Sequence, residues 1–124
     1  MLSIRQELIE MLSTGTGLDV YFIMPPINVD VAIPLLILDE VNNTDYFYEQ
    51  NGLEIVDVSY EISIYAKNPM EVLQYMPLID NIMKEVGLRR TYTSNDMYVE
   101  PLYCKTMQYT GKIFLKNSQH HIIK

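Results

Sequence analysis

His120 and His121 are the only histidines in the chain, so a histidine-centred triad or metal site has to be built from them. Adjacent side chains do not converge on one ion unless the backbone bends for them, and the pair reads as solvated residues of a tail. Cys104 is the single cysteine. It cannot form an internal disulfide, which fits a reducing compartment, and it shows no local sign of thiolate activation, so it reads as a small packing residue. Asp39-Glu40 and the pair Asp57 and Glu61 offer carboxylates of the kind that run acid–base or metal chemistry. Asp57 and Glu61, however, fall on the polar side of an alternating strand, which needs charge there for solubility. Gly15-Thr16-Gly17 lacks the lysine and third glycine of a phosphate loop and reads as a helix end. No catalytic site, cofactor or metal is expected from these residues.

The elements that would position these groups are legible from periodicity. In EIVDVSYEISIYAK, Glu54 to Lys67, the residues Val56, Val58, Tyr60, Ile62, Ile64 and Ala66 line one face of a long strand. Asp57, Ser59, Glu61, Ser63 and Lys67 line most of the other. Ser3 to Gln6 resembles a capping box, and Ile4, Leu8, Met11 and Leu12 form the buried stripe of a first helix. Thr14-Gly15-Thr16-Gly17 ends it with residues that adopt positive φ cheaply. A short strand over Val20 to Met24 stops at Pro25-Pro26, and the loop to Ile33 has no usable period.

From Pro34 the run PLLILDEV reads as a buried strand that forms a hairpin with the long one. Asn51-Gly52 is a strong type I′ turn signal. A strict two-residue turn pairs Phe47 with Val56 and Val41 with Ile62 but sets Asn43 against Tyr60, so the ladder is expected to break near Asn42 to Asp45 and leave a protruding tip. Tyr46, Phe47 and Tyr48 sit on that tip, either folded back as a small satellite core or as a contact for a partner.

Asn68-Pro69-Met70-Glu71 starts a second helix, with Asn68 as cap and Glu71 near the positive end of the dipole. Val72, Met76, Ile79, Met83 and Val86 are its apolar stripe, Gly87 its end, and Pro77 is expected to kink it. LRRTYTSNDMYVEPLY supplies a strand on either side of Ser94-Asn95-Asp96, and the last strand runs from Cys104 to Lys116. Residues 117–124 read as a flexible tail. The expected class is α+β, order α-β-β-β-α-β-β, with two helices on one face of a mainly antiparallel sheet.

A chain of 124 residues with 48% hydrophobic and 20% charged residues suits one domain, 1–124, with a real core. A net charge of −7 argues against a broad nucleic-acid surface, since phosphate neutralisation needs clustered Lys and Arg, and Arg89-Arg90 is the only basic pair. No apolar run approaches the ~20 residues that cross a bilayer, and the first residues carry acids where a signal peptide is apolar, so use in a cytoplasm is expected. The eight Met suit adaptable packing. Ten Tyr and three Phe exceed what two short helices and a sheet bury, which points to an assembly subunit.

The order of SIRQELIEML, VSYEISIYAK, the helix ending IDNIMKEVG, and the strands LRRTYTSNDMYVEP and CKTMQYTGKIF resembles the tail terminator or tail completion proteins that join tail to head in long-tailed bacteriophages and prophages. The likeness covers nearly the whole chain and rests on element order and aromatic placement. It implies a structural protein, not an enzyme, closed into a ring homo-oligomer, a hexamer. That ring would cap the tail tube protein and face the head completion or connector protein. It would sit in the virion at the head–tail junction, with DNA passing through without specific binding. On this reading Tyr46, Phe47, Tyr48, Arg89 and Arg90 are candidate partner contacts, although Arg89 could equally pair with a surface carboxylate. Asp57 and Glu61 are candidate lumen charges that repel DNA phosphates. A head completion or tube subunit of the same particle, and a small ligand-binding domain or enzyme unrelated to phages, are the alternatives.

Overall fold

The computed structural model describes residues 5–22, 33–50, 53–95, 97–99 and 102–116, and for 42–50, 53–56, 99 and 113–116 it describes the backbone alone. Two helices and six strands follow in the order α1 (Arg5–Thr16), β1 (Asp19–Phe22), β2 (Leu35–Gln50), β3 (Leu53–Ala66), α2 (Pro69–Val86), β4 (Arg89–Thr93), β5 (Met97–Val99) and β6 (Leu102–Lys116). The strands form one sheet in the spatial order β1-β2-β3-β6-β4, with the short β5 also paired to β6. Only β1 and β2 run parallel; the other pairings are antiparallel. This is the expected α+β class, with β5 drawn from the second half of LRRTYTSNDMYVEPLY.

Local sequence explains each helix end. The Asn68 side chain accepts from the Glu71 backbone N–H at 3.0 Å, and the Glu71 carboxylate accepts in return from the Lys67 N–H and the Asn68 amide, at 3.3 and 3.2 Å. Two free amides at the start of α2 are thereby satisfied, with Pro69 at the position where a missing N–H leaves nothing unpaired. Gly87 takes φ 98° and closes α2 through N–H bonds from Gly87 to Lys84 O and from Leu88 to Met83 O, both 3.0 Å. This is a left-handed cap that a side chain would disfavour. The helix runs unbroken through Pro77. In α1, Ser3 lies outside the described residues, and Gln6 donates to Glu10 one turn on. Gly17, at φ 75°, supplies the left-handed end. Gly15 does something else: a Cβ there would collide with Cδ1 of Ile82, so it lets α1 lie close against α2.

Both helices cover one face of the sheet. Leu8 and Leu12 of α1 and Val72, Ile79, Met83 and Val86 of α2 pack with Leu36, Leu38, Val58, Tyr60, Ile62, Ile64, Ala66, Met107 and Tyr109 in one cluster. The alternation of β3 is as read: its even residues from Val58 to Ala66 are buried there.

The β2–β3 register departs from the turn-based expectation. Gln50 faces Leu53 as a two-residue turn at Asn51-Gly52 would set it, although those two residues lie outside the described ones. The register then shifts between Tyr46 and Gln50, and again between Glu40 and Asn42, so Leu38 and not Val41 faces Ile62. Residues 42–46, where the break was expected, are paired with 55–59; the irregularities flank them. The reason is side-chain parity. In the unshifted register, Leu36 and Leu38 would align with odd residues of β3 on the polar face, and one extra residue at Val41 flips them onto the core face. Val41 itself is 48% exposed, whereas Leu36 and Leu38 are fully buried. Nor is the tip a lone hairpin, because β6 runs beside β3 as far as the pair Leu53 and Lys116.

Candidate interaction surface

One row of residues crosses four strands on the core face. Glu40 of β2 faces Tyr60 of β3, Tyr60 faces Tyr109 of β6, and Tyr109 faces Arg90 of β4. Both phenols are fully buried and must find acceptors. Tyr60 donates to Glu40 Oε2 at 2.9 Å, and Tyr109 donates to Asp80 Oδ1 from α2, with Met107 Sδ 3.5 Å away. The Asp80 carboxylate also meets Arg90 Nη1 at 3.5 Å. Burial, and then the bond to the Asp80 carboxylate, push the Tyr109 phenol well above its ordinary pKa, against a smaller lowering effect of Arg90. Arg90 therefore belongs to an internal polar clamp between β4, β6 and α2.

The opposite face of the sheet carries the polar side chains of β3 and β6. Ser63 bonds Thr106 at 2.9 Å, Ser59 bonds Thr110 at 3.1 Å, and Thr91, at an irregularity of β4, bonds Thr110 at 3.3 Å. Asp57 faces Lys112 and is bonded by its ammonium at 3.0 Å, while Glu61 lies in a row with Asp39 and Gln108. The two candidate lumen charges thus share this face, and Asp57 is balanced locally by Lys112. Cys104 is also on this side. Burial pushes its thiol pKa up, against hydrogen bonds with Tyr65 and Thr106 that lower it, and Tyr65 in turn is pushed up to about 12, chiefly by burial. A thiol so held is a poor source of thiolate.

Arg89 parts company with its neighbour. Its backbone faces Thr110 and its side chain is exposed, without an ion pair among the described residues. It borders a cleft of about 600 Å³ together with Lys84, Lys112, Asp57, Val58 and Leu88, where α2 ends against β6. Neither Lys84 nor Lys112 was singled out from the sequence, because only the fold brings them beside Arg89; the adjacency of Arg89 and Arg90 concealed that they serve different faces. Tyr46, Phe47 and Tyr48 lie in the distal part of β2, and their side chains lie outside the described residues, as do His120 and His121. Among the described residues no group of three or more His, Cys, Asp or Glu side chains could hold a metal ion, and no helix is long and apolar enough to cross a membrane.

No protein-family model matches the chain, and no curated protein matches its sequence.

Proposed function

We propose that the chain is a structural subunit of the tail-terminator kind: a ring-forming protein that caps the tail tube, ends tail elongation and presents a head-joining surface while DNA passes through. The observation that supports this most is the wall formed by β2, β3 and β6. Both helices pack on its one face, while its other face carries hydroxyl pairs, Gln108 and the carboxylates of Asp39, Asp57 and Glu61, beside the buried Leu35, Ile37 and Cys104, with no helix over it among the described residues. The polar part of this wall, with no convergent nucleophile among the described residues, suits a lumen better than a substrate pocket. Glu61 and Asp39 contribute negative charge to it, and a negatively lined channel lets a polyanion slide without adhering.

The decisive measurement is the state of the purified protein. A closed ring of one defined mass, added to growing tails, should end their elongation. Long polymers would instead identify a tube subunit, because a heterologous contact that fails to close propagates. Asp57→Lys with Glu61→Lys should assemble normally but slow DNA passage; an unchanged ejection rate would remove the lumen role. Replacing Tyr46, Phe47 and Tyr48 by Ser should leave a folded subunit that no longer joins tails to heads, and intact joining would discard those three as contacts.

A further inference from the structure

β4 pairs with β6 only from Thr93 opposite Met107 to Arg89 opposite Thr110. Beyond that point the chain leaves the sheet. At Gly111 the turn after α2 crosses so close that a Cβ would stand 2.6 Å from the Gly87 carbonyl oxygen. From Lys112 to Lys116, β6 has a partner on one side only, β3, among the described residues. An open stretch of strand edge is a template for another extended segment. The cleft of about 600 Å³ lies at this point, and Lys84, Leu88 and Arg89 also border a smaller one of about 320 Å³ beside Arg90.

The charge around this edge is distinctive on a chain of net −7. Arg90 is matched by Asp80, and Asp57 by Lys112. Lys84 and Arg89 have no carboxylate partner among the described residues. The backbone positions of Arg89 and Lys112 align with Thr110 and Asp57 on the polar face, while Lys84 reaches the cleft from α2, beside Val58 and Leu88 of the core side.

We propose that this edge is a docking site for an acidic, extended peptide segment of a partner protein. The segment adds to β6 beyond Gly111 as a further strand. A carboxylate on the polar face of the segment meets Arg89, and another, at the end of α2, meets Lys84, while the backbone of the segment pairs with the open edge. A nucleic acid is the poorer occupant. Duplex binding draws its strength from many neutralised phosphates, and two cations at this edge without a carboxylate partner among the described residues supply few. The site goes beyond the ring reading and stands without it, since the isolated subunit suffices to test it.

The probe is a capped, fluorescently labelled hexapeptide of alternating glutamate and valine, followed by anisotropy at low and moderate salt, with amide exchange read at 112–116. Binding that weakens with salt, slows exchange at those amides, and falls by at least about tenfold in Lys84→Ala with Arg89→Ala is the expected result. Both residues are exposed, so the double variant should keep its fold, which its thermal unfolding checks. No binding, equal binding by the variant, or unchanged exchange at the edge would overturn the proposal. So would preference for a single-stranded oligonucleotide, or concentration-dependent protection of 112–116 without peptide, which would mean that a second copy closes the edge.

Discussion

Tyr109 shows how much depends on a single hydroxyl. Its ring is fully buried in the core and its O–H is committed to a carboxylate that is also paired with Arg90. Tyr109→Phe leaves the ring packing intact and deletes only that bond. Asp80 keeps a side-chain exposure of 34%, so water can reach it and the loss should be about 1–2 kcal/mol, below the full range for bonds to charged groups. Urea unfolding would measure it. The pH dependence follows from the same burial. Tyr65 and Tyr109 both have folded pKa values above the ordinary phenol value of 10.0, so the folded state holds protons that the unfolded state releases. Their contribution to stability is complete below that value and drains away as the pH rises through the folded pKa, about 12 for Tyr65. Stability curves for Tyr65→Phe and Tyr109→Phe should be flatter than wild type above the phenol value and parallel to it below.

At the scale of elements, two glycines separate steric tolerance from its opposite. At Gly15 the obstacle to a methyl group is the far end of the Ile82 side chain, which can rotate, and alanine favours a helix by ~0.5–1 kcal/mol. Gly15→Ala should therefore change stability little. At Gly111 the obstacle is the backbone carbonyl of Gly87, held by the α2 cap, and Gly111→Ala should lose about 1–3 kcal/mol. A pair of thermal melts would distinguish them. Val41 is a third test: deleting it removes the extra residue that puts Leu36 and Leu38 on the core face, so the deletion should abolish cooperative folding, whereas Val41→Ser should be nearly neutral at an exposed site. These cases also mark what could be read beforehand. The strand Val58 to Ala66, the cap at Asn68 and the end at Gly87 were legible, because each depends on residues adjacent in sequence. The bulge at Val41 was not, since it is imposed by the parity of the partner strand. The role of Gly15 was missed for the same reason: it answers to a helix almost seventy residues away.

Across the whole molecule, the candidate site divides along the same line. The sequence placed Asp57 and Glu61 on the polar face and noticed Arg89 and Arg90, but tertiary partners decide what each does. Asp80 claims Arg90, Lys112 balances Asp57, and Arg89 joins Lys84 at the end of α2. A substitution of Arg90 should therefore act first on stability, and one of Arg89 on association; comparing unfolding midpoints with peptide binding for Arg89→Ala and Arg90→Ala would separate the two.

The row from Glu40 through Tyr60 and Tyr109 to Arg90 has one more consequence. The chain has no tryptophan, so its near-ultraviolet signal belongs to ten tyrosines, two of which, Tyr60 and Tyr109, are fully buried with their hydroxyls bonded to carboxylates of β2 and α2. In an alkaline spectrophotometric titration Tyr65 and Tyr109, whose phenols burial holds above their ordinary value, turn to tyrosinate late, as β3 and β6 separate. The late part of that colour change is an optical gauge of the sheet itself, with no label attached.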